Sequence, residues 1–376
     1  MTVDPAMTVD PAVTAVCDLL AVDGLINEGL LPAARRVARH LMPLTDDAHL
    51  ESIAKEAVAS LCGLGPLQHL LDDALVTEII VNNGGEVWVE REGRTLRAGH
   101  LADDVTPRII ERVLSPLGRR LDRLSPIVDA RLADGSRLCA VIPPIALDGP
   151  CFTLRRFGVG RRPLTDFADP LAVALLHEIV DQHSNLIISG ATSSGKTSLL
   201  NALASRVADG ERLITLEDTA ELQLDAAHVL RLESRAGTAD GVPPITMTDL
   251  VRASLRLRPD RIVLGEVRGG EVLDMLQAFN TGHDGSMATC HANGPLDALR
   301  RIEALVVQHA PGWPVEAVRE HVCSSIDVVV HVERGTDGRR HVCDIIELAS
   351  PQSAQPHRVL VARGVVVSDL TRRRRS

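Results

Sequence analysis

Tyrosine is absent from the 376-residue chain, and four Phe and two Trp hold the aromatic content at 2%. A stacking platform for single-stranded nucleic acid therefore has little to be built from. A basic surface is missing as well. The formal net charge is −10 with histidines neutral, which opposes broad binding to a phosphate backbone. No apolar run approaches the roughly 20 residues that a membrane span needs, and no charged, apolar and cleavage pattern opens the sequence. A cytoplasmic protein is expected, one that reaches a membrane only through partners. The seven cysteines (17, 62, 139, 151, 290, 323 and 343) are odd in number and form no C-x-x-C pair. That distribution argues for buried reduced thiols rather than a disulfide framework or a zinc site. Lysine is nearly missing too: only Lys55 and Lys196 occur.

Lys196 stands in the most informative stretch of the chain. Leu186-Ile187-Ile188 is a short apolar run of the kind that forms a buried strand. It leads into Gly190-Ala191-Thr192-Ser193-Ser194-Gly195-Lys196-Thr197, which matches G-x-x-x-x-G-K-[ST] at every fixed position. Ser198 and the residues after it read as a helix. Strand, glycine-bounded loop and helix are the context a phosphate-cradling loop requires. Backbone N–H groups and the helix N-terminus point at the anion, the Lys196 ammonium reaches the outer phosphates, and the Thr197 hydroxyl ligates magnesium. With lysine this scarce, a chance match is on the order of one in a thousand.

The remainder of the chain divides by pattern. Residues 1–12 are one hexapeptide twice, which suggests a duplication or an alternative start at Met7, and residues 13–62 carry helical apolar spacing. Over 63–157 the pattern is α+β. Hairpins are expected at 78–90, about Asn83-Gly84-Gly85, and at 128–142, about Ala133-Asp134-Gly135. A helix is expected over 106–117 and a further strand over 152–157. Gly, Pro and Arg make 158–170 a linker. From Leu171 strands (186–189, 212–216, 228–233, 261–265, 286–290) alternate with helices (171–182, 196–208, 247–257, 270–280), as in a doubly wound sheet. Helices near 296–308 and 314–325 and strands at 326–332, 341–347 and 358–367 follow. This α/β domain runs to about 350; 351–376 hold the last strand and a basic tail, Arg372–Arg375.

Hydrolysis also needs a metal anchor and a positioned water. Arg261 to Glu266 is an apolar strand ending in a carboxylate, so Glu266 is assigned to the magnesium side. Leu213 to Glu221 delivers Glu217, Asp218 and Glu221 after the preceding strand, and Glu217 is the preferred residue to orient water. His283 and His291, eight residues apart, suit no common zinc spacing; they are candidates for sensing the γ-phosphate.

Taken together, the phosphate loop, the acidic box Thr215–Glu221, the segment Leu255–Gly269 and the histidine box Asn280–Asn293 resemble the secretion and pilus-assembly ATPases, in particular their CpaF-like tight-adherence branch. Val128–Leu132 and Asp134–Arg137 resemble that family's N-terminal domain. The resemblance covers about 63–347, and the first 60 residues carry no family motif. The loop departs from it at Ala191 and Ser193, where the family is richer in glycine. The resemblance implies a RecA-like P-loop motor domain behind a small α+β domain, ATP and Mg2+ as cofactors, and a homohexameric ring. It also implies an integral-membrane platform as partner, and hence a place at the inner face of the cell membrane. Arg131, Arg137, Arg155 and Arg156 become candidates to approach a neighbouring subunit's nucleotide. A DNA-directed motor and a nucleotide-binding scaffold with little turnover are the competing expectations.

Overall fold

A computed structural model describes residues 6, 7, 9–23, 29–132, 134–156, 162–235, 237, 242–335, 337–349 and 356–371. The expected tail Arg372–Arg375, residue 133 of the second turn, the first residues of the linker and most of the first hexapeptide lie outside them. The chain forms two units, Met1–Val159 and Gly160–Ser376.

In the first unit, β1 (Ala6–Met7) precedes three helices, α1 (Pro11–Asp23), α2 (Leu30–Leu41) and α3 (Asp47–Cys62). Their apolar stripes meet in one cluster, Val13 and Val16 against Ala34, Val37, Ile53 and Ala57. Asp46 caps α3 by accepting from the His49 N–H at 2.9 Å. At the other end, Arg112 Nη1 donates to the carbonyls of Gly63 (3.0 Å) and Ala59 (3.4 Å), the latter also accepting from the Gly63 N–H.

Next come α4 (Gln68–Asp72), β2 (Val76–Asn82), β3 (Glu86–Arg91), β4 (Arg94–Leu101), α5 (Val105–Leu114), β5 (Ile127–Arg131), β6 (Arg137–Val141) and β7 (Cys151–Arg155). The sheet order is β1-β4-β3-β2-β7-β6-β5. Asn83 and Gly84 both take positive φ, 48° and 75°, as the tight turn between β2 and β3 demands. Alternation puts Ile79, Val81, Val87, Val89, Phe152 and Leu154 in a core with Ile109 and Ile110 of α5. On the other face, register sets Arg131 opposite Arg137, Arg137 opposite Arg155, and Arg155 opposite Glu78. Strand β4 was not anticipated, because its first four residues are all exposed and show no alternation.

The second unit alternates α6 (Pro170–Asp181), β8 (Leu186–Gly190), α7 (Lys196–Ala204), β9 (Leu213–Glu217), β10 (Val229–Glu233), α8 (Met247–Ser254), β11 (Arg261–Leu264), α9 (Glu271–Asn280) and β12 (Met287–His291). Then follow α10 (Pro295–His309), α11 (Val315–Ser325), β13 (Val328–Arg334), β14 (Arg340–Leu348), β15 (His357–Ala362) and β16 (Val365–Val366). The order is β10-β9-β11-β12-β8-β13-β14-β15-β16. Pairing is parallel from β10 to β13 and antiparallel beyond it. Every residue of β8, β9 and β11 is buried, as expected of a sheet covered on both faces. The last expected strand is broken in two by Arg363 and Gly364, both at positive φ.

Leu164 and Phe167 pack into this unit's core, and Asp169 caps α6 through the Ala172 N–H at 2.9 Å. A buried polar clasp fixes the N-terminal ends of the central strands. Asn185 Nδ2 donates to the carbonyls of Phe279 (2.7 Å) and Ser325 (3.0 Å), the Asn185 N–H donates to Asp327 Oδ2 (2.7 Å), and Ser286 N–H donates to Asn185 Oδ1 (3.2 Å).

Candidate functional site

The parallel strands β9, β11, β12 and β8 present their carboxyl ends side by side, the edge at which open α/β sheets carry their ligands. The loop from Gly190 to Gly195 leaves β8 there and becomes α7 at Lys196. Gly190 is required by packing, since a Cβ on it would strike the Val332 carbonyl and Ser194 Oγ. Ser193 (φ 59°) and Gly195 (φ 102°) turn the backbone through the left-handed region. Ala191, Thr192 and Ser193 are exposed, Ser194 is buried, and Thr197 and Ser198 are half-buried on the first turn of α7.

Lys196 is 7% exposed. Its Nζ donates to the carbonyls of Gly190 (3.1 Å) and Ala191 (2.9 Å) and lies 3.1 Å from His291 Nδ1. His291 ends β12 directly opposite Gly190, and its Nε2 is 3.4 Å from Glu266 Oε1. Burial, and then the Lys196 charge, hold the His291 pKa below its usual value, against the pull of Glu266.

Glu217 ends β9 and is 2% exposed. Its Oε1 accepts from the N–H groups of Glu221 (2.7 Å) and Leu222 (2.8 Å), while its Oε2 has no hydrogen-bond partner among the described residues. Burial pushes its pKa up to about 7, although the two backbone N–H groups pull the other way. A Cβ on Gly265, the residue before Glu266, would lie 3.0 Å from Glu217 Cγ, so the two acids stand on adjacent strand ends. Thr197 and Glu266 could hold magnesium. One hydroxyl and one carboxylate, completed by substrate phosphates, are a donor set that ion accepts, and the orphaned Glu217 oxygen leaves an acceptor for a polar occupant beside them.

The fold thus brings Lys196, Thr197, Glu217, Glu266 and His291 to one sheet edge. It does not bring His283 there. His283 precedes β12, its Nδ1 facing the Ala278 carbonyl at 3.2 Å, and the five residues of β12, at about 3.3 Å each, separate it from His291. Arg131, Arg137 and Arg155 form the cross-strand row of the first unit, whereas the Arg156 side chain is bonded to the Asp73 (2.5 Å) and Val76 (3.0 Å) carbonyls. Two contacts had no forewarning in the sequence. Arg268 pairs with Asp218, and Arg340 of β14 donates from Nη1 to Ser198 Oγ at 3.1 Å.

Residues 60–363 match the family profile described as Type II/IV secretion system protein. The conjugal transfer protein TrbB of Rhizobium radiobacter is 37% identical over 280 residues, which cover 72% of this chain and 83% of that one. The type IV secretion system protein PtlH of Bordetella pertussis is 34% identical over 310 residues, covering 72% and 89%. Among solved structures, the Legionella pneumophila ATPase DotB superimposes with a TM-score of 0.56 at 21% identity, over 75% of this chain and 79% of that one. That likeness is one of fold: an α/β domain preceded by an N-terminal domain. Among the described residues no helix is long and apolar enough to cross a membrane.

Proposed function

Because the chain belongs to the type II/IV secretion system protein family, we propose that it is an ATP-hydrolysing motor for protein secretion or pilus assembly. It works at the cytoplasmic face of the cell membrane through an integral-membrane platform, as a member of the CpaF-like branch. The observation that carries this reading is the linked set Lys196, His291 and Glu266 at the mouth of the phosphate loop.

Lys196 exchanges its carbonyl partners for the outer phosphates of ATP, and the first-turn N–H groups of α7 hold the remaining phosphate oxygens. Thr197 and Glu266 hold magnesium, which when bound neutralises charge on the transferred group. Glu217, whose Oε2 is uncommitted by the described groups, orients the attacking water. His291 ties Lys196 to Glu266 and so reports whether the phosphate is in place.

In the proposed homohexamer, head-to-tail contacts bring the row Arg131–Arg137–Arg155 to a neighbour's nucleotide. Their guanidinium groups suit the oxygens of a phosphate. The second reading, a DNA-directed motor, draws on several relatives, TrbB among them, whose names are those of conjugal transfer proteins. Phosphate release by the purified chain at fixed low salt separates the two. The motor for a membrane platform is stimulated by anionic vesicles or platform protein and is indifferent to DNA. Strong, salt-sensitive stimulation by DNA alone would establish the second reading, and no phosphate release under any condition would leave only a scaffold.

A further inference from the structure

We propose that Arg340 is a nucleotide-binding residue that contacts the α-phosphate, from the side of the loop opposite Lys196. The inference rests on the reading of residues 190–198 as a nucleotide site. Strand order places it: His291, which holds Lys196, belongs to β12 on one side of β8, whereas Arg340 begins β14, beyond β13 on the other side. Arg340 comes back over the loop. Its Nη1 donates to Ser198 Oγ at 3.1 Å, and its stem covers Gly195, so that a Cβ there would lie 2.5 Å from Arg340 Cδ and 3.1 Å from Nε.

The chemistry of that position is specific. The N–H groups of the first helical turn lack intrahelical partners, and the dipole makes this end of α7 positive. Lys196 reaches the β- and γ-phosphates and Thr197 the magnesium. Ser198 is one residue further along, where the backbone cradles the α-phosphate. A guanidinium fixed by Ser198 Oγ has further N–H donors in a rigid plane and suits a phosphate oxygen better than an ammonium would. The α-phosphate is common to ATP and ADP, so Arg340 serves both equally.

The test is calorimetric binding of ADP, ATP and the two diastereomers of ADP thiolated at the α-phosphate. Wild type is compared with Arg340→Gln and Arg340→Lys, with folding checked by circular dichroism. In Arg340→Gln the Kd for ADP and for ATP rises by the same factor, about tenfold for loss of one charged hydrogen bond, and Arg340→Lys falls between. Wild type distinguishes the thio diastereomers, and Arg340→Gln brings their ratio towards one. If Arg340→Gln fails to fold, Ser198→Ala, which frees the guanidinium from its anchor, moves ADP affinity in the same direction. An unchanged ADP affinity in a folded variant, or a diastereomer ratio indifferent to Arg340, overturns the proposal. Failure of wild type to bind either nucleotide overturns instead the reading it rests on.

Discussion

Lys196 Nζ lies 3.1 Å from His291 Nδ1. An ammonium can only donate, so Nδ1 accepts and the neutral ring carries its proton on Nε2, the atom that faces Glu266 Oε1 at 3.4 Å. The loop lysine, the end of β12 and the acid after β11 are thereby aligned before any phosphate arrives. The lysine is held, and a phosphate must outcompete two carbonyls and an imidazole for it.

Replacing Lys196 by Ala should abolish nearly all hydrolysis, since the only other lysine is Lys55. It should also lower stability, because the side chain is buried and the Gly190 and Ala191 carbonyls and His291 lose a charged donor, a loss of about 1.5–3 kcal/mol. Phosphate release and a thermal melt measure the two effects. Near-normal turnover would remove the central assignment.

Glu266→Gln keeps the phosphate loop intact but removes the carboxylate assigned to the metal side. The expected result is retained ATP affinity with turnover reduced at least about a hundredfold, an effect of ~2.7 kcal/mol on the barrier. Equilibrium binding alongside single-turnover kinetics checks this. Loss of affinity without loss of the chemical step would reassign the residue to binding.

Glu217 gives a pH dependence. Its pKa moves from an ordinary 4.5 in the unfolded chain to about 7 in the folded one. Between those values the folded form retains a proton that the unfolded form has released, so stability falls as pH rises through the window. The loss is on the order of 3 kcal/mol once both forms are ionised. Glu217→Gln has no such proton to lose. Urea denaturation without nucleotide, at pH 5 and pH 8, should show the variant gaining on wild type as pH rises. A difference that stays constant across that range contradicts the burial argument. Turnover of Glu217→Gln should be slow with nucleotide affinity little changed; if it is normal while Glu221→Gln is inactive, the water belongs to Glu221.

The arginine row separates function from stability. Arg137 stands between Arg131 and Arg155 and is exposed, so Arg137→Ala disturbs no packed core. Stability should change by no more than about 0.5 kcal/mol, as at other surface positions, while ATP hydrolysis by the assembled protein falls. A drop in melting temperature with full activity would mark the row as structural.

The site was legible where chemistry is local. The loop from Gly190 to Thr197 and the apolar strands ending in Glu217 and Glu266 announce themselves in a few consecutive residues. What depends on pairing was not legible. His283 and His291 look like companions eight positions apart, yet a strand turns that interval into the height of the sheet. Arg340 reaches Ser198 across 142 positions and belongs to no motif. The alignment of Arg131, Arg137 and Arg155 exists only once the hairpin register is known. Strand β4 escaped because an edge exposed through Arg94, Thr95, Leu96 and Arg97 carries no period-two signal.

The clasp about Asn185 has a consequence for how the protein is made. Strand β8 lies between β12 and β13, both later in the chain, and the Asn185 N–H waits for Asp327, 142 residues on. At about 5–20 residues per second, the ribosome delivers that partner roughly 7–30 s after Asn185 itself. Until β12 (Met287–His291) has been made, about 100 residues after Asn185, this buried apolar strand has neither neighbour, and β13 comes later still. Nascent chains shorter than about 330 residues should therefore be unable to hold nucleotide, however complete their phosphate loop, and should depend on a chaperone to shield Leu186, Ile187 and Ile188.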